Sequence, residues 1–344
     1  MQQTPKITVL MPVYNVAPYV REAIESILNQ TCRDFELLII NDGSTDATRT
    51  EVLKFTDPRI RFVENETNIG LANTLNKGID LARGEYIARM DGDDISLPYR
   101  LEKQAAILDD HPEIDICGAG YRFFGTKNFD VLYPSDHQSI QIGLLFGCCM
   151  IIPLFRKKSI ENTRLRYEQD FFPAEDYRFW TRCVMRLNLY NIPEVLFLYR
   201  MHPMQVSETM KNQTQMAEHV KLLYFQCFFS QFSDDEVSDF ISVFAGKVPI
   251  TRFVDIQYYD AWVNRLLKAN KTQRAVKQKV LKAELHRHIE RKLRNFVVDI
   301  WFAKRYSVRR FLQLVFSGIY FRLSSKFRIK LLLKSLMRKK RKKK

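Results

Sequence analysis

Residues 35–46 read FELLIINDGSTD. The first six, Phe35 to Ile40, form a short apolar run of the kind that fills a strand covered on both faces. The next six are turn and cap chemistry. Asp42 stands at a strand end, Gly43 can take a tight turn, and Ser44 or Thr45 can cap a following helix. An ordinary strand-to-helix turn accounts for that much. The same grammar repeats along the chain. Strands are expected at 7–11 (ITVLM), 60–64 (IRFVE), 86–90 (YIARM) and 114–120 (IDICGAG). Helices are expected over about 17–30, 46–56, 70–83 and 97–110, and in the last of these Leu101, Ala105 and Leu108 recur at helical spacing. This alternation predicts an α/β fold, a mostly parallel sheet flanked by helices. Further on, the reading gives a strand near 149–156, a helix over 175–187 and a strand at 195–200. Open α/β sheets bind ligands at the carboxyl ends of their strands. There the chain places its unusual residues: PVYN (12–15), NDGSTD (41–46) and DGDD (91–94).

The stretch GEYIARMDGDDISLPYRLEKQ (84–104) ends a buried strand on three carboxylates, Asp91, Asp93 and Asp94. Like charges there repel, so something positive must join them or they must do chemistry. Asp91 and Asp93 are two apart, which in extended backbone turns both to one side. Two converging carboxylates suit Mg²⁺ or Mn²⁺, ions that keep positions open for water and phosphate. A calcium loop of the EF-hand type is rejected, because Ile95 and Ser96 stand where a ligand and the turn glycine belong. The plain alternative is a solvated turn. In FFPAEDYRFWTRC (171–183), Glu175 and Asp176 follow Pro173 at a helix start, where carboxylates suit the dipole. Trp180, four residues after Asp176, shares its helix face. An acid beside an indole wall on the acceptor side is partly dehydrated and can serve as a general base. His202, in YRMHPMQVS (199–207), reads as structural unless the fold carries it to Asp93.

The 344 residues are 46% apolar, enough for one large or two modest domains. The net charge of +15 is concentrated at one end. Of the 54 Lys and Arg, 16 lie beyond Asp299, leaving 38 against 39 acidic residues before it. No Asp or Glu follows Asp299. FLQLVFSGIYF (311–321) is too short to span a bilayer and is bracketed by basic residues. That pattern suits a helix lying on an anionic membrane surface. The body is neutral and shows no nucleic-acid module, so no nucleic-acid partner is expected. Six scattered cysteines read as reduced thiols, and the N-terminus has no long apolar stretch of the signal-peptide kind. The expected location is cytoplasmic, peripheral on the inner face of the cytoplasmic membrane. Three parts are expected: an α/β domain over 1–210, a mainly helical extension over 211–299, and a basic amphipathic tail over 300–344.

Five stretches in this order resemble the inverting family 2 glycosyltransferases, of the kind that builds bacterial surface polysaccharides. They are ITVLMPVYN (7–15), INDGSTD (40–46), NIGLANTLNKGIDLARGEYIARMDGDD (68–94), AEDYRFW (174–180) and YRMHPMQVS (199–207). The resemblance covers roughly residues 5–210 and implies the GT-A fold, a Rossmann-like sheet, followed here by a helical, basic extension. It implies a nucleotide-sugar donor, most often a UDP-sugar, and a glycan or lipid-linked acceptor. Pro12 and Tyr14 would line the base pocket, and Asp42 would accept from the uracil ring N–H. Asp91 would contact the ribose or sugar. Asp93 would bind the Mn²⁺ or Mg²⁺ that bridges the diphosphate, with His202 approaching from the far side. Asp176 would be the catalytic base, with Glu175 beside it. Two departures stand out. Gly92 occupies a place that is Ala or Ser in many members, which should loosen the loop. Leu75-Asn76 stands where many have Arg-Asn, so Asn76 keeps its place and Arg89 becomes the substitute cation near the nucleotide. A nucleotidyltransferase would show a Gly-rich loop near the first strand, where PVYNVAPYV has no glycine. A binding protein that had lost turnover would be expected to lack Asp91, Asp93 or Asp176.

Overall fold

The computed structural model describes residues 4–126, 128–203, 205, 212–244, 253–301, 308–316 and 319–336. The terminal RKKRKKK and Met204, Val206 and Ser207 of the YRMHPMQVS stretch lie outside the described residues. The chain divides into two compact units, one ending at Tyr224 and one beginning at Phe225.

In the first unit nine strands form one sheet. They are β1 (Ile7–Val13), β2 (Phe35–Asn41), β3 (Ile60–Glu64), β4 (Tyr86–Arg89), β5 (Ile95–Ser96), β6 (Ile116–Gly125), β7 (Phe129–Val131), β8 (Leu154–Arg156) and β9 (Leu189–Met201). Their order is β3-β2-β1-β4-β8-β6-β9-β5, with β7 on β6. The four at one side are parallel. β8 enters antiparallel between β4 and β6. β6 and β9 then run parallel from the Ile116–Leu189 pair to the Gly125–Met201 pair, and β5 returns antiparallel along β9. Every residue of β1 and β2 is buried, as expected of apolar strands covered on both faces.

Helices α1 (Val20–Leu28), α2 (Thr48–Val52), α3 (Leu71–Leu81) and α4 (Arg100–Asp110) connect the first strands. Each longer one turns a stripe at helical spacing inward: Val20, Ala23, Ile24 and Ile27 of α1, and Ala72, Leu75 and Ile79 of α3. In α4 the expected Leu101, Ala105 and Leu108 are buried, and so are Arg100 and Gln104. Then follow α5 (His137–Gly143), α6 (Lys157–Thr163), α7 (Glu175–Cys183) and α8 (Gln213–Phe228), the last belonging to this unit as far as Tyr224. The expected strand at 195–200 is part of the much longer β9. β7, α5 and α6 escape the sequence reading because they are too short for a periodicity to register. β1 has β2 on one side and β4 on the other, so the strand order reverses there. The crevice outside the carboxyl ends of β1 and β4 is where such sheets bind ligands.

The second unit is helical: α9 (Asp234–Phe244), α10 (Phe253–Gln273), α11 (Gln278–Asn295), α12 (Val308–Phe316) and α13 (Ser325–Leu336). Phe229, Phe240, Phe244, Tyr259 and Trp262 form its aromatic interior. Ser233 and Glu236 cap α9 reciprocally, Ser233 N donating to Glu236 Oε2 at 3.0 Å and Glu236 N to Ser233 Oγ at 3.3 Å.

Gly84, just before β4, makes a close backbone approach. A Cβ there would come within 2.4 Å of Thr8 N and 2.7 Å of Ile7 C. Main-chain atoms of a central strand cannot step aside as a side-chain tip can. Gly84→Ala is therefore expected to destabilise the protein by about 1–3 kcal/mol, the range for overpacking. The measurement is urea unfolding against wild type; an unchanged midpoint would show that the strand yields.

Candidate active site

The loop after β1 carries Tyr14, half exposed, beyond the buried Pro12. It is knitted to the loop after β2: Asn15 N donates to Ser44 Oγ (3.0 Å) and Thr45 N donates to Asn15 Oδ1 (2.9 Å). Asp42 is buried beneath. Its Oδ1 accepts from Asn65 Nδ2 (2.7 Å) and Ile69 N (2.9 Å), and its Oδ2 from Gly70 N (3.0 Å). A carboxylate has about four lone-pair positions. Three are filled here, so one on Oδ2 is left for a ligand.

At the end of β4 the buried Arg89 forks between two acids. Its Nη2 lies 3.1 Å from Asp91 Oδ1 and its Nη1 lies 3.0 Å from Asp176 Oδ2. Burial works against the guanidinium charge, but Asp176 and Asp91 outweigh it and raise its pKa. Asp91 is pushed up to about 6 by burial, opposed by Arg89 and reinforced by Asp93 and Asp176. Asp94 is pushed well up by burial, then by Asp93 and Asp91. Its Oδ1 accepts from Arg200 N at 2.7 Å. Asp93 Oδ2 lies 3.0 Å from His202 Nε2, so β9 does bring this histidine to the Asp-rich turn. Glu175, buried at the start of α7, is raised to about 8 by burial and by Asp176. No third His, Cys, Asp or Glu joins Asp93 and His202 in a cluster among the described residues. One carboxylate and one imidazole fit a cation that draws its remaining ligands from water and phosphate.

Residues 8–176 match the model of glycosyl transferase family 2. The chain is 34% identical over 241 residues to an uncharacterized glycosyltransferase of Haemophilus influenzae, covering 64% of this chain and 73% of the relative. The chain belongs to glycosyl transferase family 2. Its fold is similar to that of S. aureus TarS 1–349 in complex with UDP, at a TM-score of 0.56 and 17% identity, over 88% of this chain and 92% of that one. It is also similar to the mannosyltransferase PcManGT of Pyrobaculum calidifontis, in complex with GDP-Man and Mn²⁺. There the TM-score is 0.50 and the identity 17%, over 98% of this chain and 89% of that one. The expected GT-A fold, with a helical region at its C-terminal end, is the fold observed.

Within this glycosyltransferase several sequence expectations need correction. Trp180 is 1% exposed and packs edge-on against Phe179 and Tyr167, so its ring is core and not a wall open to an acceptor. Asn76 Nδ2 donates to Tyr167 O and its Oδ1 accepts from Tyr167 N, both at 2.9 Å. Its amide positions Tyr167. Gly92 does not loosen its loop. A Cβ there would meet Val13 Cγ1 at 2.8 Å, so the glycine lets the turn sit close against β1. Asp94 holds β9 through Arg200 N, and β5 lies between it and α4.

Two residues went unnoticed in the sequence. Arg100 is 1% exposed, and its Nη2 donates to Arg89 O (2.7 Å) and Ile152 O (3.0 Å). Burial pushes it down to about 9, with Asp91 opposing. Arg200 is the other, and its contacts with Asp93 and Asp94 cross the turn. The one available signal was Arg100 and Gln104 interrupting the apolar face of α4.

The buried Glu175 carries a sign-definite pH dependence. Its carboxyl is raised from 4.5 to about 8. Between those values the folded chain keeps a proton that the unfolded chain releases, so stability falls as pH rises through that window. Glu175→Gln removes the effect. Thermal unfolding at pH 5, 7 and 9 should show the variant gaining on wild type as pH rises. A gap independent of pH would mean that Glu175 is not protonated in the fold.

Proposed function

We propose that this glycosyltransferase moves a sugar from a nucleotide-sugar, a UDP-sugar, to a hydroxyl of a glycan or lipid-linked acceptor, inverting the anomeric configuration. The Arg89 fork carries the reading, because it joins donor-side Asp91 to Asp176 at the start of α7. The UDP bound to S. aureus TarS supports the nucleotide, as Mn²⁺ in the archaeal mannosyltransferase supports the cation.

Pro12 and Tyr14 line the base pocket, and the free lone pair of Asp42 accepts from the base N–H. Asp91 lies toward the ribose and sugar. Asp93 and His202 would hold Mn²⁺ or Mg²⁺, an ion that when bound offsets negative charge growing on the leaving diphosphate. Asp176 is the general base. Its Oδ1 is buried without a partner among the described residues, while Oδ2 belongs to the partly exposed side chain and meets Arg89. Oδ2 keeps a second lone pair for the acceptor's proton. The acceptor oxygen then attacks the anomeric carbon opposite the diphosphate, and one displacement inverts it. Burial and Asp176 raise Glu175 to about 8, which opposes a second negative charge beside the base.

General-base assistance is typically worth about 10²–10⁴-fold. Asp176→Asn is therefore expected to lower kcat by that factor while calorimetry finds donor binding intact. Across a panel of nucleotide-sugars, one UDP-sugar should bind with Mn²⁺ and weaken in EDTA or in Asp93→Ala. Near-normal turnover of the Asp176→Asn enzyme would remove Asp176 from the role of base. Failure of every nucleotide-sugar to bind would remove the donor assignment.

In the same reading, residues 1–210 carry the reaction, 211–299 are a helical extension, and 300–344 dock the chain on the inner face of the cytoplasmic membrane. No described helix is long and apolar enough to cross a bilayer. Phe316 is 85% and Phe321 64% exposed, with Leu312, Ile329 and Leu333 also exposed. Lys326 and Lys330 lie among them, and no acid follows Asp299. Each cation near anionic lipid adds about 1 kcal/mol. Vesicle sedimentation should show binding to anionic and not to neutral lipid, reduced in Phe316→Ser/Phe321→Ser; equal binding to both would overturn the docking.

A further inference from the structure

The Asp-rich turn is held from behind by one residue of β9. Arg200 N donates to Asp94 Oδ1 (2.7 Å), Arg200 Nε donates to the Asp93 carbonyl (2.7 Å), and Nη2 pairs with Glu22 Oε2 on α1 (2.5 Å). The guanidinium lies between two rings, 5.0 Å from the centroid of Tyr19 and 4.6 Å from that of Phe124. Tyr19 in turn packs on His202, centroid to centroid 4.4 Å. His202 Nε2 returns to Asp93 Oδ2 at 3.0 Å. The contacts therefore close into a ring: Asp93, Arg200, Tyr19, His202 and Asp93 again.

This ring explains an oddity of His202. A metal-binding histidine usually has its other nitrogen hydrogen-bonded, which fixes the ring's orientation. His202 Nδ1 is buried without a partner among the described residues. Packing on Tyr19 is what orients the imidazole, and Arg200 is what backs Tyr19. The same guanidinium fixes the backbone of Asp93. One side chain thus sets both members of the pair.

We infer that Arg200 is a positioning residue that presets Asp93 and His202 for a divalent cation. This rests on the reading of those two as cation ligands. A planar guanidinium is required, because it must bond edge-on to the Asp93 carbonyl while stacking face-on between two rings; a lysine ammonium can do only part of that. Glu22 touches only the outer end of the guanidinium and is expected to matter little.

The test is a titration of Mn²⁺ into the full chain with UDP present, free Mn²⁺ being read by electron paramagnetic resonance, so that no turnover is needed. Arg200→Lys should raise the Mn²⁺ dissociation constant about 10–100-fold, the usual cost of losing an outer-shell partner. Glu22→Gln should bind Mn²⁺ much as wild type does, and UDP affinity in EDTA should be the same in all three. Should Arg200→Lys not fold, Tyr19→Leu cuts the ring at another point and should weaken Mn²⁺ in the same direction. If the folded variants bind Mn²⁺ like wild type, Arg200 is only a staple between β9 and the turn, and the inference falls. If wild type binds UDP but no Mn²⁺, the ligand reading falls and takes this inference with it, while the nucleotide site stands.

Discussion

Carboxylates crowded together out of water must find a cation or give up their charge. Five acids, Asp91, Asp93, Asp94, Glu175 and Asp176, converge at the carboxyl end of β4 and the start of α7, and the first unit is arranged around that demand. Both remedies are used. Arg89 lies between Asp91 and Asp176, Arg100 sits beneath it on the carbonyl of Arg89, and Arg200 closes over the turn from β9. Asp94 and Glu175, with no such cation in contact among the described residues, are driven toward the protonated form by burial. Each arginine in turn needs its own support. Arg100 leans on Gln104, whose amide donates to Cys117 O at 2.7 Å, so α4, β4 and β6 are bolted together by the residues that balance the charge.

The nucleotide side is built differently. Around Asp42 the partners are neutral: the Asn65 amide and the backbone N–H groups of Ile69 and Gly70. Such donors support one carboxylate without a compensating charge, and they leave the pocket the shape of its loops. The two halves of the crevice therefore differ in kind. One is set by hydrogen bonds between loops, the other by ion pairs between elements.

What was legible in the sequence follows from the range of the physics involved. β1 to β4 and their helices could be read because apolar period is local, and the three apolar positions of α4, Leu101, Ala105 and Leu108, are buried as expected. DGDD could be read because like charges side by side demand an explanation. The explanation itself could not, since Arg200 lies more than a hundred residues from Asp93 and an arginine on a strand looks like a solvated one. Trp180 was misplaced for a related reason. Spacing of four puts it on the face of Asp176, but spacing does not say that this face turns into the core against Tyr167. Asn76 looked like a ligand because its partner, the Tyr167 backbone, carries no side-chain signature.

The length of that separation has a consequence for the order in which the protein is made. Asp93 and Asp94 leave the ribosome with β4 and β5, but among the described residues β5 pairs with β9 alone, and the residues that hold the turn are 200 and 202. At about 5–20 residues per second, roughly 5–20 s pass between the two. Throughout that interval the acidic turn is without β9 and the residues that hold it. The last strand of the unit is thus also its final fastening, and a chain stopped short of residue 202 would lack the residues that hold the Asp-rich turn.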